Sequence, residues 1–115
     1  MKLLLKSQVK KLQANWKASI KLEAEGKESN HKVVVKLFNP TGIGAWYITE
    51  QKPEDPNILY GLCVLHEAEW GYVSLAELKA FKGALIPIGI ERDMYYKGIT
   101  TQELQKRVDD GEDLG

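Results

Sequence analysis

The chain has 115 residues, 43% hydrophobic and 28% charged, and its 16 basic and 16 acidic side chains cancel to zero net charge. That describes one ordinary globular domain, long enough to bury a core without staples. A lone cysteine, Cys63, allows no internal disulfide and fits a reducing cytoplasm, and the opening M-K-L-L-L-K is too short an apolar run for a signal core or a membrane span.

The charge is unevenly placed. Residues 1–36 hold nine lysines against three glutamates, and residues 37–115 hold seven basic against thirteen acidic side chains. Such asymmetry fits a surface for an acidic partner, or an internal match between a basic helix and an acidic sheet.

From Ser7 to Ala24, the residues Val9, Leu12, Trp16 and Ile20 recur at three- and four-residue steps, which makes one stripe of an α-helix. Trp16 on that stripe reads as core. Lys10, Lys17 and Lys21 gather on a neighbouring flank, with Lys6 and Lys11 nearby, and Gly26 is the stop. The polar G-K-E-S-N-H is a loop that leaves His31 exposed. Val33 to Phe38 is β-branched and apolar, a strand turned by N-P-T-G. Ala45 to Glu50 is a second strand, and period two places Trp46, Ile48 and Glu50 on one face. After the loop Q-K-P-E-D-P-N, Ile58 to Leu65 and Trp70 to Val73 form two more strands joined by H-E-A-E.

Two helix starts are explicit. Ser74 with Glu77 makes a capping box, with Val73 and Leu78 as its hydrophobic staple, and Gly83 as the stop. Thr100 with Glu103, and Ile99 with Leu104, repeat the pattern. Between these helices Ile90 to Tyr96 is a fifth strand, and the tail D-D-G-E-D-L-G is expected to fray. The order predicts a single α+β domain. Its mainly antiparallel five-stranded sheet is packed by an N-terminal helix and two short capped helices lying on one side. The basic helix and loop fill residues 1–32, the sheet with the middle helix 33–97, and the last helix with the acidic tail 98–115.

Glu91, Arg92 and Asp93 interrupt that fifth strand. Alternation turns Glu91 and Asp93 to solvent and sets Arg92 on the apolar face, where Glu50 is its expected partner in a structural charged pair. The sharper alternative makes Glu91 and Asp93, with Glu67, Glu69 and Glu50, ligands of a divalent metal in a nuclease. Two acids at alternate positions are too common to carry that alone. His66 beside Glu67 and Glu69 has too few companions for a zinc site. Cys63 has nothing cationic next to it to activate a thiolate. The G-I-G at Gly42–Gly44 leads into a strand, whereas phosphate-cradling loops lead into a helix, so no nucleotide site follows. No cofactor is implied.

The succession V-V-V-K-L-F-N-P, A-W-Y-I-T-E, Y-G-L-C, E-W-G-Y-V-S-L-A-E-L, K-G and I-E-R-D-M-Y-Y resembles a small bacterial domain family of unknown function. That family is frequently carried on plasmids and other mobile elements. The resemblance covers about residues 33 to 97. It implies a cytoplasmic accessory protein of mobile DNA, some of whose relatives carry a label for action on single-stranded DNA, and it brings no catalytic residues. The expected function is therefore a non-catalytic binding domain whose Lys10, Lys17 and Lys21 face nucleic acid or an acidic protein. The alternative is a metal-dependent nuclease acting on single-stranded DNA. A homo-oligomer closed through Trp70 and Tyr72, or through Tyr95 and Tyr96, is a third arrangement.

Overall fold

The computed structural model describes residues 2–115. Helix α1 runs Lys6–Ala24 and stops at a glycine because the chain must turn left-handed there. Gly26 has φ +72°, and the amides of Gly26 and Lys27 return to the carbonyls of Glu23 and Leu22, closing a Schellman cap. Strands β1 (Val35–Phe38), β2 (Ala45–Gln51), β3 (Ile58–Val64) and β4 (Ala68–Ser74) follow, then helix α2 (Leu75–Ala80), strand β5 (Glu91–Arg92) and helix α3 (Thr101–Asp109). The sheet is antiparallel throughout, in the order β4-β3-β2-β1-β5. The expected α+β architecture with one five-stranded sheet and three helices is the architecture observed.

The helices cover both faces, not one. Alternation sends Val35, Leu37, Ile48 and Leu59 to the face where Leu12 of α1 and Leu78 of α2 pack. It sends Ala45, Tyr47, Leu62 and Val64 to the other, against Leu104 of α3 and Leu114. Strand β2 is apolar on both sides, so neither face could be left wet.

At both helix starts the expected cap residue accepts the third amide of the helix, the Glu77 amide donating to Ser74 Oγ and the Glu103 amide to Thr100 Oγ1, each at 3.2 Å. Helix α2 nevertheless stops at Ala80, ahead of Gly83, because Phe81 is already extended. Strand β5 shrinks to two residues. Asp93 Oδ1 accepts the Tyr95 amide at 2.9 Å, an Asx turn that peels the chain off the sheet edge. The acidic tail is docked, not frayed: Leu114 is buried, and the Tyr47 hydroxyl donates to its carbonyl. Among the described residues no helix is long and apolar enough to cross a membrane.

Candidate functional site

The site begins with one extra residue in β2. Ile48 pairs with Gly61 and Glu50 with Tyr60, so Thr49 is a bulge that shifts the register. A slip of one residue exchanges the two faces of a strand. Ile48 stays under α1, while Glu50 turns to the opposite face beside Tyr60, whose cross-strand neighbour is Tyr72. Asn15, itself buried, donates through Nδ2 to the bulged Thr49 carbonyl at 3.0 Å and pins α1 over this point. The second half of α1 then walls a cleft.

The cleft has a volume of about 540 Å³. Trp16, Ser19, Ile20 and Glu23 of α1 line one wall, and Glu50, Tyr60, Trp70 and Tyr72 of the sheet line the other. Four of these rings make a continuous series. Trp16 lies 6.2 Å from Tyr72, Tyr72 5.2 Å from Tyr60, and Tyr60 6.3 Å from Trp70, stacked within 19° of parallel. Tyr72 is 71% exposed. Trp70 is held from below, its indole N–H donating to Gln105 Oε1 at 2.7 Å.

Polar groups meet among the rings. Ser19 Oγ lies 2.8 Å from His31 Nε2. It also hydrogen-bonds the Glu50 carboxyl, and the His31 ring hydrogen-bonds the Asn15 carbonyl. His31 is fixed, not exposed, because its own carbonyl accepts the amide and hydroxyl of Thr101, each at 2.9 Å. Burial pushes the Glu50 carboxyl up from its ordinary value, against the smaller opposing effect of the Ser19 bond. Burial pushes His31 down, with the Asn15 bond opposing and Lys11 adding to the fall. The bonds close in two ways. An ionised Glu50 accepts a hydrogen bond from the Ser19 hydroxyl while an imidazolium donates to Ser19, or a neutral acid donates to Ser19, which donates to a neutral imidazole. The acid sits on the serine and not behind the histidine, so the arrangement lacks the order of a hydrolytic triad.

The structure does not bring Arg92 and Glu50 together. Arg92 lies opposite Leu37, on the α1 face, and its Nη1 donates to the Lys2 carbonyl. Glu50 was turned to the other face by the bulge, which strict alternation could not foresee. Four of the five metal-ligand candidates also separate from one another. Glu67 and Glu69 belong to the β3–β4 hairpin, at one edge of the sheet, while Glu91 lies in β5 and Asp93 directly after it, at the other. Among the described residues no three His, Cys, Asp or Glu side chains converge as a metal cage would require. Lys10, Lys17 and Lys21 are exposed on α1 and outside the cleft lining, with Lys17 one turn before the exposed Ile20 at its rim. Cys63 is half-buried, and burial with the nearby Glu69 raises its thiol pKa, the direction of an unreactive thiol.

The cleft itself went unseen in the sequence, where Trp16 reads as core, Trp70 and Tyr72 as an interface patch and His31 as loop. The available signal was the alternation Tyr60, Trp70, Tyr72 on paired strands. No curated protein and no solved structure matches the chain. A family described as "Protein of unknown function (DUF2958)" matches residues 3–109, which takes in α1 and α3 as well as the sheet. With that match spanning nearly its whole length, the chain belongs to the DUF2958 family.

Proposed function

We propose that this domain binds single-stranded nucleic acid without cleaving it, as a bacterial cytoplasmic accessory protein of plasmids or other mobile elements. The observation that carries the reading is the series of rings from Trp16 through Tyr72 and Tyr60 to Trp70, with Tyr72 open to solvent. The solvent-open Tyr72 ring is a platform for an unstacked base, worth roughly 1–3 kcal/mol of stacking, and Trp16 and Tyr60 buttress it at tilted and edge-on angles. A duplex keeps its bases stacked on one another and gains nothing from such a wall.

Charge supports an orientation. Glu23, Glu28 and Glu50 outnumber Lys27 in the cleft lining, so phosphates are repelled from it. Lys10, Lys17 and Lys21 lie on the outer flank of α1. Bases enter the cleft and the backbone follows the lysines. This favours nucleic acid over an acidic protein, which offers carboxylates and no flat bases to the same wall.

Fluorescence anisotropy with labelled single- and double-stranded oligonucleotides, across a salt series and with or without Mg²⁺, tests the reading. The expected result is single-strand preference, at least tenfold weaker binding in Tyr72→Ala, and loss of binding when Lys10, Lys17 and Lys21 are reversed to Glu. Replacing those three lysines by Gln should flatten the salt slope by about two. Absence of binding by any oligonucleotide would end the proposal. Mg²⁺-dependent cleavage removed by Glu91→Ala would replace it with the nuclease.

A further inference from the structure

The rings offer faces to any base, and selectivity requires a hydrogen-bonding group beside them. Glu50 supplies one. It is 8% exposed, lines the cleft, and sits directly across from Tyr60 in the middle of the ring series. Its hydrogen-bond donor is the Ser19 hydroxyl, and among the described residues the ion pairs Lys27–Glu25 and Arg107–Glu112 lie elsewhere. A carboxylate has about four lone-pair sites, so one hydroxyl leaves most of them for a ligand. No Glu50 oxygen is both enclosed and unpaired, and the side chain lines the cleft, so the sites that Ser19 leaves open are within reach of donors arriving there.

We infer that Glu50 reads the Watson–Crick edge of a guanine stacked in this cleft, one carboxylate oxygen accepting N1–H and the other N2–H. This deepens, and rests on, the single-strand reading above. Guanine is the base that sets two N–H donors side by side, at the spacing of two carboxylate oxygens. Adenine and cytosine set an amino group beside a ring nitrogen whose lone pair faces the carboxylate and repels it. Uracil and thymine flank one N–H with two carbonyl oxygens.

The experiment titrates the wild-type protein with GMP, IMP, AMP, CMP and UMP, followed through the indole N–H resonances of Trp16 and Trp70. IMP keeps N1–H and lacks the N2 amino group, so it isolates the second hydrogen bond. GMP is expected to bind tightest, by roughly 5- to 150-fold over AMP, the discrimination of a bidentate contact. IMP should fall between them. Glu50→Gln, an isosteric change, should bring GMP down to the level of IMP. Equal affinities for all five nucleotides, or a GMP preference that survives Glu50→Gln, would overturn the inference. Short oligonucleotides separate the two readings. If oligo-dT binds and adding guanines changes nothing, the single-strand reading stands and the guanine inference falls. If GMP is selected through Glu50 but no oligonucleotide binds, the reverse holds.

Discussion

Glu50 concentrates the unusual chemistry of the molecule in one side chain. Its carboxyl is pushed up by burial, so the folded state holds the proton more tightly than the unfolded chain does. Stability then falls as pH rises from the ordinary carboxylate range through the raised value in the folded protein, and the full penalty is present above it. Glu50→Gln removes that penalty and keeps an acceptor for Ser19. Its melting temperature should exceed wild type at pH 7, and the difference should vanish only as the pH falls below the ordinary carboxylate range, where both states of the wild type are protonated. A variant less stable than wild type at pH 7 would mean that the charged form is held well by its surroundings. Nothing in the sequence identified Glu50 as a buried acid facing rings. Read by period two it shares a face with Trp46 and Ile48, and only the extra residue Thr49 sends it to the other side.

At the scale of elements, the contact between α1 and the bulge does the positioning. Asn15 lies on the buried side of the helix with Leu12 and spends its amide on the Thr49 carbonyl, while Gln13 Nε2 donates to Gln51 Oε1 at 3.1 Å. Asn15→Ala leaves a buried carbonyl without its donor and should cost about 1–3 kcal/mol by denaturant unfolding. It should also change the Trp16 indole resonance, since Trp16 is the next residue and its ring faces Tyr72. The apolar stripe of α1 was legible from spacing, yet Trp16 and Ile20 on that stripe turned out to wall an open cleft. The stripe says which side of a helix faces the protein; it does not say how far the sheet extends beneath it. The two capped helix starts were legible because a cap is local, confined to four residues. A third contributor to the α2 cap was not. Asn57, from the β2–β3 loop, accepts the Ala76 amide at 2.7 Å, a contact across 19 residues that no local pattern announces.

For the molecule as a whole, the acidic end of the chain closes the second core. Gly111, at φ +72°, caps α3 and turns the chain so that Leu114 packs with Val64, Tyr47 and Leu104. Leu114→Ala should destabilise the domain by about 2–3 kcal/mol in thermal or denaturant unfolding. A frayed tail would give no measurable change. Composition and hydrophobic period determined the class, the five strands, the three helices and where the helices start, because each depends on neighbours a few residues apart. The tertiary structure alone decided which faces were covered, where Glu50 points and that four aromatic rings meet in one cleft. Those outcomes depend on a register shift and on packing between segments distant in sequence, and a one-residue slip reverses them without changing any local pattern.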